Sequence, residues 1–393
     1  MAGVNWRQWW PWPAVAIVIV LGVWPLVEYW LSNPDDQRLV DLEVYRVGGQ
    51  MILDGRPVYD FVTPPPQLLP FTYPPIAALL AVPLALMSWD TAQWVWTAGI
   101  FVCLGITVGF SFRESLKDYR PLVFAFLMVA CTYLMPIRDQ VRFGQVDILL
   151  VALCLADCVA KRPRWPRGFL IGLATAVKLT PGVFLIYLLI TRQWRTFWTA
   201  TGVTALLTLL PFAVIPQDAV DFWFHALLDP ERLGSNAGTT NQSMRGMLIR
   251  LYLPSDLLTS AIWLALVAVV GWYGFRFARE AYRRQDPITA VALVGLMAVL
   301  LSPVAWIHHL AWVVVVLGAI VGDATDVTRI RVAAGVWLYY VLPIPWWGVT
   351  LKAAEIPVLS PVLGKVVQNA YGLGALALVW LLGTWLPKRR YSL

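Results

Sequence analysis

The apolar run PAVAIVIVLGVWPLVEYWL at residues 13–31 contains a single charged side chain, Glu28. A helix of about 20 apolar residues crosses the ~30 Å hydrocarbon core of a bilayer. The run is longer than the core of a signal peptide, and no small-residue cleavage site follows it. We therefore expect it to be retained as the first membrane span.

The rest of the chain has the same character. Of its 393 residues, 59% are hydrophobic and only 13% are charged, which lies outside the range of soluble domains. Almost nothing remains for a separate soluble domain. The composition therefore predicts an all-α, polytopic membrane protein that forms one integral membrane domain over residues 1–393.

The basic residues lie in short clusters between the apolar runs. Such clusters set membrane orientation, so the net charge of +7 does not indicate nucleic-acid binding. With the clusters placed in the cytoplasm, both termini lie inside, some segments are broken or re-entrant, and two large loops, at about 32–90 and 215–256, lie outside. The path has twelve predicted crossings, at 13–31, 91–112, 121–136, 145–160, 168–177, 181–190, 196–214, 257–274, 288–301, 308–321, 332–341 and 366–386.

The apolar stretch at 74–89 is short and is interrupted by Pro83. We expect it to form a helix at the outer interface, packed under the first loop, rather than a further crossing. The four cysteines all fall inside apolar runs. Neither a disulfide framework nor a zinc site is therefore indicated.

The first exterior loop carries an acidic segment, Asp41-Leu42-Glu43-Val44-Tyr45, shortly after the first span. On a helix, Asp41 and Tyr45 share a face. A carboxylate held against a membrane-side helix is partly desolvated, which suits it to accept a proton from a hydroxyl. The alternative is an ordinary solvated acid, because this loop contains seven acidic residues.

Lys178 stands between two apolar half-spans that are bounded on their far sides by Arg167 and Arg192. The chain must therefore rise, turn at residues 178–181 and descend. An ammonium group at membrane depth is costly unless it faces an aqueous cavity or an anion, and a lipid phosphate would satisfy it. The alternative is that the side chain snorkels to the outer interface.

Three further polar segments fall at predicted exterior positions. Residues 138–147, RDQVRFGQVD, offer Arg138 and Arg142 for bidentate phosphate contacts and amides for sugar hydroxyls, although an ordinary basic loop fits equally well. Residues 236–245, NAGTTNQSMR, supply more amides and hydroxyls. Residues 302–309, SPVAWIHH, end in two histidines, of which a helix directs at most one to the site unless it begins there. With no carboxylate at ligand spacing on that segment, we expect no metal.

Taken in chain order, these segments resemble the polyprenyl-phosphate-mannose-dependent mannosyltransferases of the GT-C superfamily, glycosyltransferase family 87. The likeness is greatest to the enzymes that form α-1,2 linkages in mycobacterial phosphatidylinositol mannoside synthesis. It covers nearly the whole chain and implies the GT-C fold. The segments that carry it are Asp41-x-Glu43-x-Tyr45, Tyr73-Pro74-Pro75, Gly144-Gln145-Val146-Asp147, Lys178-x-x-Pro181, Asn241-x-Ser243 and Ser302-Pro303-x-x-Trp306-x-His308-His309.

The resemblance implies an inverting enzyme that moves mannose from polyprenyl phosphate mannose to a membrane-anchored mannoside. It implies a catalytic role for Asp41 and for His308 or His309. Lys178, Arg142 and Arg138 are implied to bind the donor phosphate. Implied substrate contacts are Glu43, Tyr45, Tyr73, Gln145, Asp147, Asn241, Ser243 and Trp306, with Asp147 standing where the family commonly has asparagine.

The expected partners are the lipid-linked donor, a glycolipid acceptor and membrane lipids, with no nucleic acid. No cofactor is expected, because cationic side chains can stabilise the leaving phosphate without a metal. The resemblance also implies a multi-pass protein of the plasma membrane with its site on the exterior side.

Other readings of the sequence stay open at this point. One is a related transferase that acts on lipomannan or lipoarabinomannan branches, with a pentose conceivable as donor sugar. Another is a twelve-helix secondary transporter, which broken half-spans and an intramembrane lysine also suit, although the chain has no repeated halves. The last is a lipid-binding scaffold without catalysis.

Overall fold

A computed structural model describes residues 11–34, 37–117, 121–229, 232 and 234–391. In these residues the structure is helical, with two isolated β-bridges and no longer strand, so the predicted all-α class is confirmed. The helices are α1 (Pro11–Leu31), α2 (Val40–Leu53), α3 (Pro75–Ala85), α4 (Trp89–Ser111), α5 (Pro121–Thr132), α6 (Met135–Phe143), α7 (Asp147–Val159), α8 (Phe169–Val177), α9 (Val183–Ile190), α10 (Trp194–Val214), α11 (Pro216–Phe224), α12 (Met244–Ile249), α13 (Asp256–Arg283), α14 (Pro287–Leu300), α15 (Val313–Val321), α16 (Val327–Val341), α17 (Ile344–Ala353), α18 (Leu359–Gln368), α19 (Ala370–Trp380) and α20 (Leu386–Tyr391).

Five helical segments in the described residues are long and apolar enough to cross a membrane: α1, α4, α10, α13 and the C-terminal stretch Ala370–Arg389. Two bent pairs, α5–α6 at 77° and α16–α17 at 50°, raise the number to seven if each pair counts as one span. The chain is thus a multi-pass membrane protein, but twelve crossings are not confirmed.

The difference between the two counts lies in predicted crossings that form short helices. The predicted crossings at 145–160, 168–177 and 181–190 are helices of 13, 9 and 8 residues. At about 1.5 Å per residue, none of them alone reaches across the ~30 Å hydrocarbon core. Their apolar side chains serve the interior of the protein as well as lipid.

The centre of the molecule is formed by α14 and α15. Every residue of α14 after Pro287 is buried, as is α15 from Val313 to Ile320. A helix that is apolar all round must be covered all round. A Cβ on Gly295 of α14 would lie 2.2 Å from the Trp312 ring, so glycine allows the 3-10 helix Ile307–Trp312 to pack closely here. The segment with the two histidines is therefore anchored in the core.

The segment that the sequence predicts as the first exterior loop folds as a pair of packed helices. α2 lies against α3, and a Cβ on Gly49 would be 2.7 Å from the Ala81 carbonyl oxygen. Pro74 is the N-cap of α3, and Pro83 lies inside it. The short helix expected at 74–89 and packed under this loop is thus present, although it ends at Ala85 and α4 begins at Trp89.

Two interruptions bring polar side chains into the helical core. α6 ends at Gly144, whose φ of 73° lies in the left-handed region that favours glycine. A Cβ on Gly144 would also lie 2.8 Å from Leu42 Cβ, so the turn packs directly on α2. α8 ends at Lys178, which has extended backbone. The start of α2, the α6–α7 turn, the α8–α9 break and the histidine segment meet in one place.

Candidate active site

Side chains from three distant segments meet at the amide group of Gln145. Tyr45 Oη and Tyr73 Oη each donate to Gln145 Oε1 at 3.2 Å, and the two phenolic oxygens lie 2.9 Å apart. Gln145 also shares a side-chain hydrogen bond with Asp41, in which its NH₂ group must donate to the carboxylate. Because Asp41 and Tyr45 lie one turn apart on α2, the helix aligns both groups with the same amide.

Asp41 is a half-buried carboxylate rather than a solvated loop acid. Burial raises the pKa of Asp41 to about 7, with a smaller raising effect from the charge of Asp147, while the Gln145 hydrogen bond and the positive charge of Lys178 act in the opposite direction. This environment favours the expected partly desolvated carboxylate over an ordinary solvated loop acid. A carboxylate with a pKa near neutrality can accept a proton efficiently at physiological pH.

Lys178 is paired with Asp147, so the anion that the sequence analysis required for this ammonium is a carboxylate of the chain itself, and the alternative of a side chain that snorkels to the interface is not what the structure shows. Its Nζ lies 2.8 and 3.0 Å from the two carboxylate oxygens of Asp147, and 3.1 Å from His309 Nε2. An ammonium has three donors and no acceptor, so these contacts use all of its protons. The Lys178 and Asp147 side chains are only 13% and 8% exposed.

The ammonium of Lys178 also connects this group to the tyrosines, because Nζ lies 5.2 Å from the centre of the Tyr73 ring. Through Tyr73 and Gln145 it is joined to Asp41, whose pKa its charge lowers. The structure therefore places the predicted base and the predicted cation in one cluster. We call the set Asp41, Tyr45, Tyr73, Gln145, Asp147, Lys178, His308 and His309 the Asp41 cluster.

Both histidines face this cluster. Nε2 of His308 lies 3.7 Å from one carboxylate oxygen of Asp147, and Nε2 of His309 lies 4.0 Å from the other. The 3-10 helix begins at Ile307, so the condition under which two adjacent side chains can face one site is met. Since the Lys178 ammonium can only donate, His309 Nε2 must accept, and its proton must be on Nδ1.

Asp147, His308 and His309 also have the geometry of a possible cation site, with one ligand atom of each within 4.8 Å of the others. The sequence analysis expected no metal because the segment at 302–309 contains no carboxylate. The structure brings one to the histidines from another element, because Asp147 lies at the start of α7. The ammonium of Lys178 lies among these atoms. A positive charge is thus already supplied by the chain itself.

The two predicted phosphate-binding arginines lie beside this cluster on α6. Arg138 is half-buried, Arg142 is exposed, and the Arg142 guanidinium lies 5.0 Å from the centre of the Phe143 ring. Both interact electrostatically with Asp139, a buried acid on the same helix that also interacts with Asp41. Sequence reasoning missed Asp139, because nothing in its spacing separates it from a surface acid in a basic loop.

Asn241 and Ser243 use their side chains in hydrogen bonds to nearby backbone groups. Asn241 Oδ1 accepts from the Ala305 amide at 3.1 Å, and its Nδ2 donates to the Asn236 carbonyl at 2.9 Å. Ser243 caps α12 and donates to the Pro303 carbonyl at 2.9 Å. Both side chains are fully buried, so the structure shows them holding the second loop against the segment before the histidines rather than presenting free groups to a sugar.

The remaining predicted contacts lie at the edge of the cluster. Trp306 is half-buried, forms a β-bridge with Asn241 and precedes the histidine helix. Glu43 is half-buried on α2 and interacts with Arg46. In the part of the chain that the structure describes, neither forms a hydrogen bond or an ion pair with Asp41 or Lys178, and their substrate contacts stay predictions.

Gln140 is a positioning residue that the sequence did not single out. It is fully buried; Nε2 donates to the His308 carbonyl at 2.8 Å, and Oε1 accepts from the Ile148 amide at 3.3 Å. It thereby ties the histidine segment to the start of α7. No local pattern distinguishes Gln140 from a loop amide, because His308 is remote from it in sequence and Ile148 lies across the α6–α7 turn.

This arrangement can accept a proton at Asp41 and stabilise an anionic leaving group near Lys178 and the histidines. Such chemistry within a multi-pass helical protein is that of a group-transfer enzyme of the membrane. The geometry suits this class and leaves the transferred group open.

Comparison with known proteins specifies the class further. Residues 71–303 match glycosyltransferase family 87. A polyprenol-phosphate-mannose-dependent α-(1-2)-phosphatidylinositol mannoside mannosyltransferase of Mycolicibacterium smegmatis is 36% identical over 303 residues, which cover 71% of this chain and 68% of that protein. The corresponding phosphatidylinositol pentamannoside mannosyltransferase of the same organism is 29% identical over 344 residues, or 84% of this chain and 81% of that one.

A solved structure, ArnT from Cupriavidus metallidurans bound to undecaprenyl phosphate, aligns over 96% of this chain and 78% of its own, with 17% identity and a TM-score of 0.38.

The chain belongs to glycosyltransferase family 87, as the resemblance of its motifs predicted, since the matched segment covers more than half of it. It is a glycosyltransferase, so the transporter and the non-catalytic scaffold are excluded. Tyr73, Gln145, Asp147 and Lys178 lie inside the matched segment, whereas Asp41 and the two histidines flank it.

Proposed function

We propose that this enzyme transfers mannose from polyprenyl phosphate mannose to a membrane-anchored phosphatidylinositol mannoside, forming an α-1,2 linkage with inversion at C1. The names of the two mycobacterial relatives support the donor and the acceptor class.

The main support for the proposal is the position of Asp41, a half-buried carboxylate that interacts electrostatically with the Lys178 ammonium. Asp41 takes the proton of the acceptor hydroxyl while that oxygen attacks C1 of the mannose. The bond between C1 and the phosphate oxygen breaks on the opposite face, and the polyprenyl phosphate leaves as a monoester. Gln145 holds the carboxylate in place through its hydrogen bond.

The leaving phosphate gains negative charge, and cations near it lower the barrier. All three donors of Lys178 are used inside the protein, so the phosphate reaches Nζ only by replacing a partner. His309 is the partner we expect to be exchanged, because a neutral acceptor is held less strongly than a carboxylate. Arg138 and Arg142 provide further positive charge on the neighbouring helix.

We also propose that the protein lies in the plasma membrane with the Asp41 cluster on the exterior side and both termini in the cytoplasm. This orientation rests on the Lys and Arg clusters between the apolar runs. Labelling of single introduced cysteines in intact cells tests it. A cysteine at Asp54, at the end of α2, should react with an impermeant reagent, and one at Arg162 should not.

The direct test of the mechanism is Asp41→Asn in the purified full-length protein. Transfer from polyprenyl phosphate [14C]mannose should fall by about 10²–10⁴-fold, the usual contribution of a general base. Asp54→Asn, which removes an exposed carboxylate from the other end of the region around α2, is the matched control and should keep near-full activity. More than a tenth of the wild-type rate in Asp41→Asn excludes Asp41 as the base, and product analysis identifies the linkage.

A further inference from the structure

A second cluster of positive side chains lies at the end of α9 remote from Lys178. The turn after α9 and the last two turns of α13 enclose a recess of about 270 Å³. At about 30 Å³ per water molecule, it has room for about nine waters. The residues that line it are Ile190, Thr191, Arg192, Arg279, Tyr282 and Arg283.

Three guanidinium groups line this recess, and their charges are only partly balanced. Glu280 lies 3.8 Å from Arg283 Nη1 and 3.0 Å from Arg284 Nε. Over the part of the chain that the structure describes, Arg192 and Arg279 have no acidic partner within salt-bridge distance. The clustering of basic residues at a membrane surface explains their presence on this side, but it does not require them to converge on a recess.

Arg192 occupies a backbone position that favours glycine. Its φ is 58°, and the bonds from Arg192 N to Leu189 O at 3.1 Å and from Gln193 N to Leu188 O at 2.9 Å form a Schellman cap. The left-handed residue of this cap is usually glycine, because a Cβ is disfavoured there. The backbone conformation therefore does not explain why an arginine stands at this position.

The surroundings of the recess are those of a lipid-facing surface. Leu189 and Trp194, which lie next to the recess residues 190–192 in the chain, are 43% and 51% exposed. Exposed tryptophans mark the membrane interface. An anion that enters the recess from this side therefore arrives with acyl chains lying along the apolar flank.

We propose that this recess binds the phosphate of an anionic glycerophospholipid, in the leaflet opposite the Asp41 cluster. Arg192 and Arg279 approach the phosphate from two different elements and can each donate two hydrogen bonds to its oxygens. Tyr282 forms a wall of the recess. Basic pockets between membrane helices bind anionic headgroups in this way. The site is separate from the transfer chemistry and does not depend on the proposed acceptor.

The test uses the full-length protein in detergent, with dioleoylphosphatidylglycerol, dioleoylphosphatidylcholine or inorganic phosphate added, and retained lipid counted by native mass spectrometry. Arg192→Gly should weaken phosphatidylglycerol binding by about fivefold, the contribution of one arginine near a charged headgroup. Its unfolding temperature without lipid should not fall, because glycine suits the cap. Arg195→Gln removes an exposed charge from the next helix without touching the recess and should change binding by less than twofold.

Arg279→Gln tests the site from α13, independently of the cap, and should give a loss similar to that of Arg192→Gly. An equal loss in Arg195→Gln would show diffuse surface charge instead of a site and overturn the proposal. Equal retention of phosphatidylcholine would overturn the preference for an anion. Displacement of the lipid by millimolar inorganic phosphate would show that free phosphate, and not a lipid, is the ligand.

Discussion

Asp147→Asn should strongly destabilise the protein, because it leaves the Lys178 ammonium buried without its anion. Nζ makes contacts of 2.8 and 3.0 Å with the Asp147 carboxylate, and both side chains are almost fully covered. Removal of one partner of a buried ion pair costs about 3–5 kcal/mol. The remaining contact, to His309 at 3.1 Å, is a neutral acceptor that cannot compensate the charge.

The expected change in unfolding temperature follows from chain length. For 393 residues at about 2.1 cal/mol/K each, the unfolding entropy is roughly 0.8 kcal/mol/K. A loss of 3–5 kcal/mol therefore lowers the midpoint by about 4–6 °C. The assay is thermal unfolding of the purified protein in detergent, followed by intrinsic tryptophan fluorescence at one fixed scan rate.

A double-mutant cycle separates the pair from its surroundings. Lys178→Met should cost a similar amount, because it leaves a buried carboxylate beside two histidines. The double variant Lys178→Met/Asp147→Asn removes both charges and should recover to within about 2 kcal/mol of the wild type. Lys352→Met is the matched control and should cost less than about 1 kcal/mol. Lys352 is half-buried, and its one side-chain bond among the described residues is to the Gln368 amide oxygen, at 3.1 Å.

Two outcomes would refute this reasoning. A midpoint shift below 1 °C in Asp147→Asn would mean that Lys178 has water or another anion in place of Asp147. Additive losses in the double variant would mean that the two side chains contribute independently and are not coupled as an ion pair.

The other predictions concern Asp41 and the turn that positions it. Asp41 must be deprotonated to act as a base, and its pKa is raised to about 7. The value of kcat/KM should therefore rise about tenfold per pH unit below pH 7 and level off above it. A flat profile from pH 5 to 9 contradicts this role. Gln145→Leu removes a hydrogen bond that lowers the pKa of Asp41, so the midpoint of the pH profile of kcat/KM should move to higher pH. A shift to lower pH would disprove the assignment of Gln145 as the donor to Asp41. Gly144→Ala should lower the free energy of unfolding by about 1–2 kcal/mol, because the φ of Gly144 is 73° and the added Cβ would meet Leu42 at 2.8 Å. Gly99→Ala in α4 is the control and should be neutral or stabilising, because nothing lies within 4 Å of the added Cβ. Equal losses of unfolding temperature in the two variants would argue against this packing.

The elements that the sequence predicted well are those whose signal is local. Runs such as residues 13–31 are long, apolar and almost free of charge, and a bilayer accepts such a run only as a helix that satisfies its own backbone groups. The shared face of Asp41 and Tyr45 follows from helical periodicity alone, and both side chains contact Gln145 in the structure. The family likewise follows from ordered motifs that need no coordinates.

Other features depend on contacts that no local pattern encodes. Hydrophobicity is the same whether a short apolar helix faces lipid or the protein interior, and only the structure shows that α14 and α15 are buried on all sides. Twelve crossings are predicted from the sequence, whereas five to seven segments of the described residues are long and apolar enough to span.

The amino-acid sequence by itself therefore determined the helical membrane class, the family and the residue types at the site, because each follows from composition, periodicity or motif order. Only the tertiary structure decided which charges meet. Asp147 and Lys178 are 31 positions apart, and His309 is 131 positions from Lys178, so their contact depends on how α7, α8 and the histidine helix pack. A buried charge is stabilised by whatever partner the fold brings within about 3 Å, and distance along the chain does not reveal that partner.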